Sequence, residues 1–510
     1  MLVGAKALWG DPTRDGRIAL RGSGGALSYA ELRDQAGRVA THSATWSAHD
    51  DDRSPFVAIL SDWTPQFVAC FLGLSAAGWA VGVLDPVWSA DERAGALAQL
   101  NPAAVVVGDE CRPAAAALTA DQWRVAGHLD PGWTVLTHAL PPLRRAAPDP
   151  TPDTPFYVGF TSGSSGRPKA FMRSHRSWWE SFESFDGLCP LDPDGAVLVP
   201  GPLSSSHFLF GALHALHAGA TAELVSSAEY SPERVIERVA RPGRVAALYV
   251  VPTMLAQLTT SAPAGAVVDG PAYIFCAGAR LDAAVRDRAR GRFPTSRLVE
   301  YYGASELSFV AIDRDGDETP AGSVGRVFPG VEVSIRGDGD EALAPGQTGV
   351  IFARSPLVFM GYRGQAPQSG ARALDDGWLT VGDRGALDDA GFLSVAGRGS
   401  SLIITGGANV QPEEVEEVVA ACAGVAACVV VGLPDPTWGE VVCAALVPQP
   451  QAELRRADLR RHVAGELTRY KRPRRYVTLD GPLPVGRTGK VDRQRVRELV
   501  LDGRAVREIR

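Results

Sequence analysis

The chain has 510 residues, 45% of them hydrophobic and 21% charged, and a net charge of −7. That length is too great for one small core and predicts two or more domains, while interspersed acidic and basic residues exclude a general nucleic-acid binder, which needs a basic face. Seven scattered cysteines (Cys70, Cys111, Cys189, Cys276, Cys422, Cys428, Cys443), odd in number and never spaced C-x-x-C, argue against a disulfide framework or zinc site and for a reduced, cytoplasmic protein.

The opening MLVGAKALWGDPTRDG has no long apolar core, so no signal peptide is expected. ALSYAELRDQAGRVATHSA predicts a strand-edge serine followed by an amphipathic helix, and SPFVAILSD a buried strand. Residues 67–84, uncharged, just reach membrane-spanning length. Gly73, Gly78 and Gly82 punctuate them and Asp85-Pro86 stops them, so a buried helix to about Ala77 and a short buried strand are expected instead of a span. AAVVVGDE reads as another buried strand and the Pro-rich residues 141–155 as a loop. Strand-like and helix-like runs then alternate to VEYYG near residue 303, which predicts α/β layers. From about residue 320 short β-like runs between Gly/Asp turns predict a β-rich subdomain, and after Arg398 a second α/β unit follows, joined through the small residues GRGSS.

FTSGSSGRPKA, residues 160–170, follows a strand-like run. Glycines, consecutive N–H groups and hydroxyls can form a concave anion site. The P-loop pattern G-x-x-x-x-G-K-[ST] is absent, however, because Arg167-Pro168 follow Gly166. Alone, such a loop reads as a surface turn. Downstream, VEYYGASE carries Glu306, TVGDRGALDDAGFLSVAGRG carries Asp383 and Arg398, and GPLPVGRTGKVDR carries Lys490. In this order the motifs resemble the adenylate-forming superfamily, which comprises acyl- and aryl-CoA ligases, peptide-synthetase adenylation domains and luciferases. The resemblance runs from LSYAELRD to Arg493.

The resemblance implies a large N-terminal domain of α/β layers plus a β-rich subdomain (1–397), a hinge (398–400) and a small mobile α+β C-terminal lid (401–510). It implies ATP-dependent activation of a carboxylic acid to acyl-AMP, then transfer to the thiol of CoA. Lys490 would be the cation that offsets repulsion between the carboxylate and the α-phosphate. Glu306 would hold Mg2+ with Thr161 nearby, a carboxylate being the hard ligand that ion prefers. Thr161, Ser162, Gly163, Ser164, Ser165, Gly166 and Lys169 would wrap the phosphates. Asp383 and Arg398 would meet the ribose, and Tyr302 the adenine, in a site also lined by Gly278, Ala279, Tyr301, Gly303 and Ser305. The acid pocket would borrow from Trp179, Phe182, His207, Phe208, Val251, Gly278, Tyr301 and Gly303, with His207 beside the carboxylate. Gly406 and Gly407 would line a pantetheine tunnel, Trp438 and Tyr470 would stack on the CoA adenine, and Arg472 and Arg474 would meet its phosphates. Ser400, after Gly399, stands where the family's hinge usually carries Asp or Lys.

The resemblance further implies that members activating α-amino acids place an aspartate in the segment matching residues 202–211, PLSSSHFLFG, to pair with the ammonium; here that segment holds no acid, and an ammonium buried there without a counter-charge would be costly. The expected substrate is therefore an aryl, fatty or other bulky apolar acid. His214 and His217 read as a helix face and not as a metal pair. Two further readings stay open. One is a stand-alone adenylating enzyme that loads an acyl carrier protein, or hands acyl-AMP to a partner, through an Arg-rich face near residues 455–475. The other is a nucleotide sensor without catalysis. A homodimer is also left open.

Overall fold

The structure is a computed structural model and describes all residues except 1, 45, 47–55, 120–122, 130–131, 139–148, 162–168, 227, 242–244, 262–265, 279–280, 282, 338, 365–370, 399–402, 411, 450, 482, 485–492, 505 and 510. Residues 67–84 fold as their punctuation predicts. Thr64 caps a helix over Pro65–Ala76, its hydroxyl accepting the Phe67 N–H at 3.2 Å, and Pro65 occupies the first turn, where a missing N–H costs nothing. The helix is apolar on all sides and buried nearly throughout, as a helix between layers should be. Gly78, at φ +88°, ends it in the left-handed region, and the chain returns as the strand Ala80–Leu84. Among the described residues no helix is long and apolar enough to cross a membrane.

Two sheets frame the large domain. In one, Phe56–Leu60, Ala80–Leu84, Ala104–Gly108 and Pro155–Thr161 run parallel, and Lys169–Ser174 pairs antiparallel with the last of these. The first three strands are buried at every position, which marks a sheet covered on both faces. In the other, Thr221–Leu224, Ala196–Val199, Val245–Val250, Tyr273–Cys276 and Arg297–Ala304 run parallel. From Ser308–Arg314 onward that sheet is antiparallel, continuing through Ser323–Val327, Phe392–Arg398, Asp383–Leu387 and Gly349–Arg354. The β-rich part therefore begins before residue 320 and extends the second sheet. The tight return from Gly303 to Ser308 reverses the chain beside its own strand, so no crossover helix intervenes. Helices Pro65–Ala76, His175–Leu188 and Ser206–Ala218 pack between the two sheets. A single core joins Val81 and Phe156, Phe71 and Phe182, and Val197 and Phe275.

The small domain has its own sheet. Val425–Asp435, Gly439–Pro448 and Arg475–Leu479 form its centre, and a hairpin, Ile403–Thr405 with Ala408–Val410, lies at its edge. Its buried clusters draw on residues between Ile403 and Ile509, whereas those of the large domain end at Leu393. Among the described residues, the buried clusters of the two domains are therefore separate.

Candidate active site

The second sheet opens a crevice at the carboxyl ends of its parallel strands. Val250, Cys276 and Glu300 lie in register, so Val251, Gly278, Tyr301 and Tyr302 emerge together at one edge, where open α/β sheets bind ligands. Successive strand residues face opposite ways, and this separates the two tyrosines. The Tyr302 hydroxyl donates to Asp383 Oδ2 at 2.6 Å, and Asp383 is the cross-strand partner of Arg398. Tyr301 instead turns to His207, its hydroxyl bonded to the ring Nδ1.

The His207 bonds define its tautomer. Nε2 lies 2.9 Å from the Val250 carbonyl, which only accepts, so Nε2 carries the proton and Nδ1 accepts from Tyr301. Burial lowers the pKa of His207 to about 4, against the opposing Val250 bond, so the ring is neutral at pH 7. Both ring nitrogens are engaged within the protein, so a bond from His207 to a substrate carboxylate would have to displace one of these partners.

The base of the Ser/Gly loop is fixed by strand pairing, because Thr161 and Lys169 are cross-strand partners. Lys169 is buried, and desolvation lowers its pKa while the neighbouring Glu306 works the other way. Its ammonium lies 6.0 Å from the centre of the Tyr362 ring, and the Tyr362 hydroxyl donates to Glu306 Oε1 at 2.7 Å. The Arg173 guanidinium, also buried, donates to the carbonyls of Leu357 at 2.7 Å and Ser305 at 3.3 Å. Glu306, Lys169 and the loop base thus converge, together with Tyr362 and Arg173, which sequence reasoning missed. Tyr362 lies 56 residues from Glu306 in the chain, and no local pattern signals their contact.

Aromatic rings surround His207. Tyr249, Tyr301 and Phe208 have ring centres 5.4, 5.7 and 4.8 Å from it, and Phe309 stands 4.8 Å from Tyr301. Two of the proposed pocket residues belong elsewhere. Trp179 is half-buried on the outer side of its helix, 4.7 Å from His217 and 5.2 Å from the Lys6 ammonium. Its neighbour Trp178 takes the inward direction, because one residue turns a helix by about 100°. Phe182 is fully buried against Phe210 and His214 as core. His214 bonds Asp186 at 2.7 Å and the Tyr249 hydroxyl at 2.8 Å, and His217 bonds Glu183 at 3.0 Å. Asp85, outside residues 202–211, accepts the Ser204 hydroxyl. Burial raises its pKa, against the Ser204 and Val87 bonds.

The small domain reaches this crevice through one turn. Gly406 and Gly407, at φ +59° and +76°, join the edge hairpin in the doubly left-handed conformation that glycine tolerates. A Cβ on Gly407 would lie 2.9 Å from Val251 side-chain atoms, and the Gly407 carbonyl is 3.8 Å from a Cβ position on Gly278. On the other side, a Cβ on Gly406 would meet the Trp438 ring at 3.0 Å, and the Arg474 guanidinium covers Trp438 at 3.8 Å. The turn therefore links the crevice to Trp438 and Arg474. Tyr470 is half-buried beside Lys471. Arg472 is committed elsewhere: it donates to the carbonyls of Leu467 at 2.7 Å and Ala464 at 3.0 Å, capping the end of the helix Arg456–Glu466 in place of meeting a phosphate. Ser162, Gly163, Ser164, Ser165, Gly166, Ala279, Ser400 and Lys490 lie outside the described residues, as does the Arg398 side chain.

Residues 10–363 match the family described as AMP-binding enzyme, and residues 414–490 the AMP-binding enzyme C-terminal domain. The chain is 35% identical to YhfT, an uncharacterised acyl–CoA ligase of Bacillus subtilis, over 95% of this chain and 96% of that protein. It is 31% identical to an indoleacetate–CoA ligase of Aromatoleum aromaticum over 95% of each. The solved structure of the amide bond synthetase McbA from Marinactinospora thermotolerans aligns with a TM-score of 0.82 at 28% identity, over 98% of this chain and 99% of that one.

Proposed function

The chain belongs to the AMP-binding enzymes of the adenylate-forming superfamily, and on that premise we propose that it joins a carboxylic acid to the thiol of CoA at the expense of ATP. The acid attacks the α-phosphate, releasing pyrophosphate and leaving acyl-AMP. The thiol then attacks the acyl carbon and AMP departs. The observation that carries this reading is the seating of Gly407 against Val251 and Gly278, with Trp438 and Arg474 beyond it. A thiol arm lying along that turn would reach the crevice that takes the adenylate, while a planar base and phosphates would meet the tryptophan and arginine.

In the first step Asp383 accepts from the ribose hydroxyls and Tyr302 lies along the adenine. Lys169 offsets phosphate charge at the loop base, and Lys490 offsets charge at the reacting α-phosphate. Glu306, a buried carboxylate near Lys169 at the base of the loop, fits a hard cation, so Glu306 and Thr161 would hold Mg2+. When bound, the ion supplies neutralisation of the departing pyrophosphate. The small domain would turn about Ser400 to bring either Lys490 or the Gly406–Gly407 turn to the crevice.

The aromatic wall around His207 and the lack of an acid in residues 202–211 support an aryl or bulky apolar acid without an α-ammonium. Exposed Arg455, Arg460 and Arg461 favour, as a second reading, an acidic acyl carrier protein in place of free CoA. Seven free cysteines, six of them buried, fit a reducing cytoplasm. The test is acid-dependent ATP–pyrophosphate exchange over a panel of aryl, fatty and amino acids, followed by CoA or holo-carrier as acceptor. Exchange with apolar acids and thioester with CoA is the expected result. Exchange restricted to α-amino acids would overturn the substrate class, and thioester only on the carrier would favour the second reading.

A further inference from the structure

The large and small domains meet at a seam that carries a buried ion cluster. The Lys471 ammonium donates to Glu92 Oε1 and to Glu414 Oε1, each at 2.7 Å, and the three side chains are only 7%, 8% and 6% exposed. Glu92 belongs to the large domain, in the first turn of the helix Ala90–Leu100, whereas Lys471 and Glu414 belong to the small one. The second oxygen of Glu92 accepts the Thr468 hydroxyl, again from the small domain, and the Ser89 N–H at 2.9 Å. Burial pulls the Lys471 pKa down, but Tyr470, Glu414 and Glu92 hold it above the ordinary lysine value. Glu92 is lowered by Lys471 against its own desolvation, so both partners stay ionised.

Three buried charges are tolerated only when paired, and their pairing demands one relative placement of the partners. Apolar surfaces can slide past one another, whereas a lysine between carboxylates from two bodies fixes a register. In that register Gly407 stands against Val251 and Gly278.

We propose that Lys471 is a positioning residue for thiol transfer: tied to Glu92 across the seam, it holds the Gly406–Gly407 turn over the acid crevice. The inference rests on the reading above, in which that turn serves the second half-reaction. Rotation of the small domain parts Lys471 from Glu92, so the pair biases the molecule toward the transfer arrangement and leaves adenylation to the other.

Two variants separate this role from a merely structural one. Glu92→Gln removes the charge that crosses the seam, while glutamine still completes the capping box with Ser89. Glu414→Gln leaves the Lys471–Glu92 pair intact. Each is measured for ATP–pyrophosphate exchange, for transfer of supplied acyl-adenylate to CoA, and, without any substrate, for amide hydrogen exchange at residues 89–92 and 468–471. The expected result for Glu92→Gln is transfer reduced about tenfold or more, pyrophosphate exchange within about twofold of the parent, and loss of amide protection on both seam faces. Glu414→Gln should stay near the parent in all three. Unchanged protection and transfer in Glu92→Gln, or equal loss of both half-reactions, would overturn the proposal. If the parent activates no acid at all, the ligase reading fails, and the amide-exchange comparison still decides the role of Lys471 in holding the seam.

Discussion

The Tyr302 hydroxyl donates to the Asp383 carboxylate across 2.6 Å, joining the last parallel strand of the second sheet to the antiparallel hairpin that follows it 81 residues later. The bond fixes both groups at the crevice edge before any nucleotide arrives. A hydrogen bond to a charged group contributes about 1.5–3 kcal/mol, so Tyr302→Phe should raise KM for ATP about tenfold or more. The kcat at saturating ATP should change much less. Steady-state kinetics with varied ATP checks this, and a loss confined to kcat would remove the pair from nucleotide binding.

Gly407 packs close against the large domain. Alanine there must adopt φ +76°, at a cost of about 1–2 kcal/mol, and its Cβ would press on Val251 at 2.9 Å. Gly407→Ala should therefore slow thiol transfer while sparing pyrophosphate exchange. Adding Val251→Ala should restore part of the transfer rate by relieving the clash. Stopped-flow transfer from supplied acyl-adenylate distinguishes the two half-reactions.

Stability should fall with acid through the histidines. Burial lowers the pKa of His175 to about 3 and of His207 and His217 to about 4. Below about pH 6.5 the unfolded chain binds protons that the folded one refuses, so stability present at neutral pH is lost down to pH 4, by up to about 1.4 kcal/mol per pH unit for each histidine. Asp85, whose pKa is raised by burial, works in the opposite sense. Urea unfolding at pH 7.5 and pH 5 should show the decline, and a flat profile would contradict these assignments.

Glu306→Gln should shift the magnesium dependence of adenylation to higher concentration, because the hard anionic ligand is gone. Lys490→Ala should cut acyl-adenylate formation by about a hundredfold or more, a range typical of lost electrostatic stabilisation. It should leave transfer from supplied acyl-adenylate intact. Equal loss of both half-reactions would count against its placement at the α-phosphate.

Local chemistry made part of the molecule legible in the sequence. The Gly78 break within residues 67–84 was readable because glycine readily adopts the left-handed conformation that ends a helix, whereas Gly73 stays within the turn it occupies. The serine before YAELRD closes a capping box with Glu31, three residues away. Asp383 and Glu306 stood out through motif order. What stayed hidden depends on side chains brought together from afar, or on the direction of one side chain. Trp178 and Trp179 are chemically identical neighbours, and only helix phase decides which faces the core. Arg472 and Arg474 look alike in YKRPRRY, yet one caps a helix and the other covers Trp438. The Glu92–Lys471 pair spans 379 residues, beyond any spacing rule.

The most direct measurement of the central claim is product stoichiometry with one accepted apolar acid, ATP, magnesium and CoA, followed by mass spectrometry. The account predicts acyl-CoA, AMP and pyrophosphate in equal amounts, with acyl-adenylate accumulating when CoA is omitted. Release of ADP and phosphate, or thioester formation without AMP, would contradict it.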